Sequence, residues 1–381
     1  MRKGCLRRFL SGLFSLLVIA GIALAVYFNQ GFVKTHIINR AKGMYYVHKG
    51  DEAYRKMNTN KAIKYYNKGL NLFPGHYTAW YNLGNIYVSY EDYYSALYSY
   101  SQAFKHNPKM MIARMNYGIV ATQKLGNFDI AIDQFNKIVK TKRKLWNIPY
   151  IFNNRVSTKA NRAIAYYNIG VTYRLKSLYA NDDWEKQRKY LAKAIENYKK
   201  SLKIAPKSYD TLYNLGLAYH IAGRYDDAGI QYCRAIEVQP MSYEAHYNLA
   251  VLLRRLRYFE QSYEEIEKAA TLVSALNENT AQQQYVAIVM NDIMRTMYGN
   301  EEYRNQLKTF LNEEKNKSAE HIKTESKAKE TKKDREKGTV TTETVNLVNG
   351  RVVVTKELDS AILKSFGKCS SIKLFTHDDD D

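Results

Sequence analysis

A set of landmarks that recurs about every 34 residues constrains the fold of this chain more than any other feature of its sequence. Segments 43–76, 77–110, 209–242 and 243–276 share this length and most of the landmarks. In the clearest pair, Trp80, Leu83, Gly84, Tyr87, Ala96, Tyr100, Ala103 and Pro108 correspond to Leu212, Leu215, Gly216, Tyr219, Ala228, Tyr232, Ala235 and Pro240. Such periods are typical of stacked supersecondary units, none of which buries its apolar face alone.

The spacing within one period predicts two helices joined by a turn. Leu, Gly and Tyr at i, i+1 and i+4 share one face of a first helix, where the glycine allows a second helix to approach closely. Ala96 and Ala228 supply small residues for that approach from the second helix. Pro108 and Pro240 end the second helix, because proline lacks the amide donor and clashes with the preceding turn.

These landmarks closely resemble the tetratricopeptide repeat. The resemblance implies an all-α fold, a right-handed superhelical solenoid of about six helix-turn-helix repeats over residues 43–276. Two further repeats are irregular: 111–145 has one extra residue, and 163–208 has twelve residues inserted between its helices. The resemblance also implies that the first helices line a concave face that binds peptide segments of other proteins.

The segments outside the array differ from it in composition. We expect a linker helix at 31–42, capping helices at 277–316, a charged linker at 317–338 and a mostly flexible tail at 339–381. Within that tail, Val345 to Val354 alternate around an Asn-Gly pair suited to a tight turn, so a small β-hairpin is expected there.

The first 30 residues predict a signal anchor, a single transmembrane helix. Residues 9–28 are uncharged and mostly apolar, and four basic residues precede them: Arg2, Lys3, Arg7 and Arg8. A run of roughly 20 apolar residues is long enough to span a bilayer. Residues 23–25 also fit a signal-peptidase site, so export after cleavage is an alternative.

The distribution of basic residues sets the expected orientation. The positive charges before the apolar run slightly outnumber those after it, which are Lys34, Arg40 and Lys42. Because positively charged flanks resist translocation, the repeat domain is expected outside the cytoplasm. A cytosol-facing domain is the alternative.

The candidate peptide-binding residues form two rows. One asparagine precedes the small-residue pair in each of five repeats: Asn82, Asn116, Asn168, Asn214 and Asn248. A tyrosine stands just before four of them, as Tyr81, Tyr167, Tyr213 and Tyr247. An amide both donates to a backbone carbonyl and accepts from a backbone N–H, so such a ladder could grip an extended chain with little sequence preference. Packing within the repeats is the alternative role for both rows.

A second candidate surface lies in the basic insertion 140–162, which has no acidic residue. Its cations are Lys140, Lys142, Arg143, Lys144, Arg155, Lys159 and Arg162. Interleaved with Trp146, Tyr150 and Phe152, they suit an anionic polymer or an anionic membrane surface, and the alternative is an ordinary connecting loop. The net charge of +21 agrees with anionic partners but names none, and nucleic acid is disfavoured without being excluded.

The sequence predicts no enzyme. It contains no HExxH or GxSxG motif and no complete phosphate-binding loop, so no catalytic residue, cofactor or metal is expected. His246 stands where other repeats have Trp80 or Leu212, which indicates packing between helices instead of a ligand role. The three cysteines, Cys5, Cys233 and Cys369, lie far apart, so no disulfide framework is expected. Cysteine usage therefore does not indicate the cellular compartment of the protein.

Overall fold

The computed structural model describes residues 3–141, 158–180, 182–274, 281–299, 339–340, 358–359 and 366–376. The chain forms two compact units, residues 1–161 and residues 162–381. Both units are built from helices, which confirms the prediction of an all-α fold.

The first unit begins with α1 (Lys3–Phe28), a short α2 (Gln30–Phe32) and a π-helical turn (Val33–Ile38). Three helix pairs follow: α3 (Asn39–Arg55) with α4 (Thr59–Leu72), α5 (Tyr77–Ser89) with α6 (Tyr93–His106), and α7 (Met111–Gln123) with α8 (Phe128–Val139). By length and hydropathy together, no helix within the described residues qualifies as a membrane span. The anchor over residues 9–28 therefore stays a prediction.

The second unit contains three more pairs and a closing helix. The pairs are α9 (Thr158–Leu178) with α10 (Trp184–Ile204), α11 (Tyr209–Ile221) with α12 (Tyr225–Val238), and α13 (Tyr243–Arg255) with α14 (Phe259–Ser274). Helix α15 (Ala281–Gly299) packs on α14 through Val286, Ile293 and Met297, the apolar stripe expected of a capping helix. The twelve inserted residues of the irregular repeat extend the end of α9 and the start of α10, and both helices have 21 residues.

The two helices of a pair meet where an aromatic ring covers a glycine. A Cβ added to the glycine would lie 2.5–2.7 Å from the nearest ring carbon, so only glycine leaves room for the ring. The five contacts are Gly50–Tyr66, Gly84–Tyr100, Gly118–Phe135, Gly170–Tyr198 and Gly216–Tyr232. The predicted close approach is confirmed, but its partner is this ring and not Ala96 or Ala228.

The sixth pair reaches the same fit with different residues. Ala250 occupies the glycine position of α13, and Ile266 occupies the aromatic position of α14. Both are fully buried in one apolar cluster. The methyl gained on the first helix is thus accompanied by a smaller side chain on the second, as close packing requires.

The expectation of a flexible tail is wrong for residues 366–376, which pack on the second unit. A 3-10 turn (Ser370–Leu374) lies against α12, and Phe375 is buried with its ring over Gly229. Cys369 forms a disulfide with Cys233 of α12 across 136 residues of sequence. The expectation of no disulfide is therefore also wrong, since distance along the chain does not limit contact in the fold.

Other expectations for the tail lie largely outside the described residues. These include the helix after residue 300, the charged linker 317–338 and the Asn349-Gly350 turn. Two short strands, Thr339–Val340 and Leu358–Asp359, pair antiparallel.

The contact between Gly216 and Tyr232 yields a stability prediction. Gly216→Ala should lower the free energy of unfolding by about 1–3 kcal/mol, because the new methyl overlaps the ring. Adding Tyr232→Ile should recover part of that loss by recreating the Ala250–Ile266 pair, giving a favourable coupling in a double-mutant cycle. Urea unfolding of the single and double variants measures both effects.

Gly299→Ala is the matched control, since a Cβ at Gly299 meets nothing within 4 Å. This variant should stay within roughly 1 kcal/mol of the wild type. Equal effects of Gly216→Ala and Gly299→Ala would contradict the packing argument.

Candidate peptide-binding face

All nine residues of the predicted binding rows lie on first helices of the pairs. Tyr81 and Asn82 lie on α5 and Asn116 on α7, all in the first unit. The second unit holds Tyr167 and Asn168 on α9, Tyr213 and Asn214 on α11, and Tyr247 and Asn248 on α13. Each of the nine is half-buried except Asn168, which is buried.

In the first unit the asparagines donate to a polar residue of the preceding repeat. The amide nitrogen of Asn82 lies 3.1 Å from Asp51 Oδ1 and 3.1 Å from the Tyr66 hydroxyl, which itself donates to Asp51 at 2.7 Å. Asn116 repeats this arrangement one period later, with Asn85 Oδ1 at 3.3 Å and the Tyr81 hydroxyl at 3.4 Å. Both amide hydrogens of each side chain are thus used in bonds between neighbouring repeats.

In the second unit the corresponding acceptors are a tyrosine and a helix carbonyl. Asn214 donates to the Tyr167 hydroxyl at 3.3 Å and to the carbonyl of Asp210 at 2.8 Å. Asn248 donates in the same way to Tyr213 at 2.9 Å and to Glu244 at 2.8 Å. Three bonds therefore join the two predicted rows, each from an asparagine to the tyrosine of the repeat before it: Asn116–Tyr81, Asn214–Tyr167 and Asn248–Tyr213.

This network changes what the ladder can offer to a ligand. The amide hydrogens of Asn82, Asn116, Asn214 and Asn248 are occupied, whereas their Oδ1 atoms accept no hydrogen bond from the described residues. Each amide can therefore accept from a peptide N–H but cannot donate to a peptide carbonyl without breaking an internal bond. Asn168 donates to the carbonyl of Ile164 at 2.9 Å.

The tyrosine hydroxyls can supply the missing donors. Tyr167 and Tyr213 each accept a hydrogen bond from asparagine and keep their own hydrogen. Burial is the main cause that raises the pKa of both hydroxyls to about 12, so both remain protonated at neutral pH. In the second unit an extended peptide would thus meet two donors, Tyr167 and Tyr213, and two acceptors, Asn214 and Asn248.

The basic insertion is only partly described. Lys140 follows α8, and Lys159 and Arg162 lie in the first turns of α9, all three exposed. Lys142, Arg143, Lys144 and Arg155 lie outside the described residues. Binding of an anionic polymer by this insertion stays a prediction.

His246 is fully buried and belongs to the core, as its place in the repeat predicts. Its Nδ1 lies 2.6 Å from Glu265 Oε2, and its Nε2 lies 3.1 Å from the carbonyl of Pro240. Lys268 donates to the other Glu265 oxygen at 2.6 Å. Burial opposes the ionisation of Glu265, but the hydrogen bonds and electrostatic interactions with His246 and Lys268 outweigh it and lower the pKa of the carboxyl.

Sequence reasoning missed a cluster of arginines near the end of the second unit. Arg254, Arg255 and Arg257 line one cavity together with His220. The run of three arginines in four positions is visible in the sequence, but its meeting with His220 depends on the stacking of α11 on α13. Within the part of the chain that is described, no three side chains of His, Cys, Asp or Glu are grouped to hold a metal.

Two segments of the chain match the tetratricopeptide repeat family model, residues 77–110 and 197–230. The first match covers α5 and α6, whereas the second begins in α10, includes α11 and ends in α12. These matches confirm tetratricopeptide repeats in both compact units. No curated protein sequence matches the chain.

Solved structures with similar helices include several bacterial proteins. PilW, described as a widely conserved type IV pilus biogenesis factor, is 16% identical over 64% of this chain and 98% of its own, with a TM-score of 0.49. Pseudomonas aeruginosa PilF is 14% identical over 66% and 98%, with a TM-score of 0.46. A thermophilic TPR protein of Thermus thermophilus is 18% identical over 57% and 98%, with a TM-score of 0.42.

The buried pair of His246 and Glu265 predicts a loss of stability in acid. Because the folded-state pKa of Glu265 is lowered, its contribution is complete above the unfolded value of about 4.3 and is lost as pH falls through the folded pKa. Glu265→Gln should destabilise the protein by about 3–5 kcal/mol at neutral pH. The stability of this variant should also decrease less than that of the wild type as the pH falls. Urea midpoints between roughly pH 3 and 7 measure this, with exposed Glu264→Gln as the matched control.

Proposed function

We propose that this chain is a scaffold that binds extended segments of other polypeptides through the tyrosine and asparagine rows of its first helices. The observation that supports this most is the hydrogen-bond network on α9, α11 and α13, which leaves amide oxygens and tyrosine hydrogens for a ligand. Tetratricopeptide repeats characteristically bind polypeptides along such surfaces. No catalytic role is proposed.

Main-chain recognition is the mode that these groups favour. An extended peptide presents an N–H and a C=O at each residue. The second unit offers acceptors at Asn214 and Asn248 and donors at Tyr167 and Tyr213. Contacts of this kind depend little on side-chain identity. The tyrosine rings add apolar contact area at low entropic cost, which suits a surface that accepts several partners.

We further propose that α1 attaches the scaffold to a membrane. Support comes from the uncharged run of residues 9–28 and from the exposure of its apolar side chains, including Leu17 at 65% and Ile19 at 62%. Apolar side chains exposed over several helical turns are costly in water and are stabilised in lipid.

The disulfide supports a location of the second unit outside the cytoplasm. Cys233 and Cys369 are buried partners, and disulfides persist mainly in oxidising compartments. This argument is independent of the basic residues that flank the apolar run, and both favour the same orientation.

Replacing Asn168, Asn214 and Asn248 together with alanine tests the binding role. The three changes remove two free amide oxygens and two interhelical bonds to tyrosine, so recovery of partner polypeptides in pull-downs should fall several-fold. Bound proteins are identified and quantified by mass spectrometry. Asn291→Ala, at an exposed position of α15, is the control. Unchanged recovery by a folded triple variant would remove the ladder from the proposal.

Protease accessibility in intact cells tests the orientation. The repeat domain should be digested by added protease while a cytoplasmic marker stays intact, and the extracted chain should migrate differently after reduction of Cys233–Cys369. Complete protection until lysis, together with free thiols at both positions, would place the domain in the cytoplasm.

A further inference from the structure

A cavity of about 390 Å³ opens between the last helices of the second unit. His220 from α11 and Arg254 and Arg255 from α13 line one side, and Arg257 and Phe259 follow at the start of α14. Val251 and Thr296 complete the wall. We name it the arginine cavity.

Positive charge in the arginine cavity is only partly compensated. Arg254 forms an ion pair with Asp292 of α15. Arg255 stacks on the ring of Tyr225 at 4.9 Å, and neither Arg255 nor Arg257 has a carboxylate partner among the described residues. Burial and the nearby Arg255 both lower the pKa of His220, so this imidazole is neutral at pH 7. Two guanidinium groups therefore remain available to an anion.

The packed part of the tail runs toward this cavity. Tyr225, Gly229 and Cys233 are spaced four residues apart and so share one face of α12. Cys369 is bonded to Cys233, and Phe375 covers Gly229 one turn earlier on the helix. The tail thus runs antiparallel to α12, and the next turn along this face presents Tyr225 with Arg255 above its ring.

The residues that follow have the complementary charge and sufficient reach. His377 and four aspartates, Asp378 to Asp381, come directly after the packed segment. Five extended residues span up to roughly 17 Å. One turn of α12 from Gly229 to Tyr225 covers only about 6 Å, and the guanidinium of Arg255 lies 4.9 Å from the centre of the tyrosine ring.

Acidic groups near this path do not cancel the attraction. Asp226 and Asp227 lie in the first turn of α12, and Arg224 pairs with Asp227 through Nε at 2.7 Å. Asp292 is paired with Arg254. Arg255 and Arg257, which form no ion pair with the described residues, are therefore the cations left to meet an anion at the mouth of the cavity.

We propose that the acidic segment Asp378–Asp381 docks into the arginine cavity of its own chain. The tail then acts as a tethered ligand. A short tether gives an effective concentration in the millimolar range, so even weak charge pairing keeps the cavity largely filled. Salt weakens this pairing.

A competition experiment with the full chain tests this docking. The probe is a labelled peptide, THDDDD, which copies residues 376–381, and binding is followed by fluorescence anisotropy at low salt. The probe should bind the variant with all four aspartates changed to asparagine at least about tenfold more tightly than the wild type, because the tethered competitor is neutralised. Arg255→Gln with Arg257→Gln should abolish probe binding in that variant.

Two controls make the result specific. Arg234→Gln removes an exposed arginine of α12 outside the cavity and should leave probe binding unchanged, and the peptide THNNNN should not bind. Equal affinity of the wild type and the asparagine variant would overturn the proposal, as would binding that survives loss of Arg255 and Arg257. If the wild type is a dimer that dissociates when the four aspartates are changed to asparagine, the acidic segment docks into a second copy of the chain. That outcome would overturn docking within one chain.

Discussion

The contact between a glycine on the first helix and an aromatic ring on the second sets the geometry of the helix pairs. The ring fills the space that a Cβ would occupy, so it fixes how closely the helices approach and at which turn they meet. Five pairs use this contact, and the sixth reaches the same density with Ala250 and Ile266. The residues of the candidate peptide-binding face lie on the same first helices as these glycines and Ala250.

The sequence spacing between the glycine and the ring explains which repeats could be recognised from the sequence. The ring follows the glycine by 16 positions at Gly50–Tyr66, Gly84–Tyr100 and Gly216–Tyr232, which gives a regular pattern. In the irregular repeats the contact survives although the chain between its partners is longer, because extra residues enter a turn or lengthen both helices. Local pattern thus predicts the helices well, whereas the identity of the packing partner follows from three-dimensional fit.

The tail and the arginine cavity could not be predicted because their contacts join distant parts of the chain. Cys233 and Cys369 are separated by 136 residues, and sequence spacing alone does not select a pairing among cysteines. His220 and Arg255 meet only through the stacking of successive repeats. The asparagine row was found from periodicity, whereas the acceptors of its amide hydrogens, on the same helix and on the preceding repeat, follow only from the fold.

Tyrosine links the packing core of the second unit to its candidate peptide-binding face. Tyr232 covers Gly216 in the core, and its ring lies 6.2 Å from that of Tyr213, the residue that accepts from Asn248. The Tyr232 hydroxyl lies 3.5 Å from His220 Nδ1, at the wall of the arginine cavity. Tyr232 thus contacts both the candidate peptide-binding face and the wall of the arginine cavity, because its ring is held in place over Gly216.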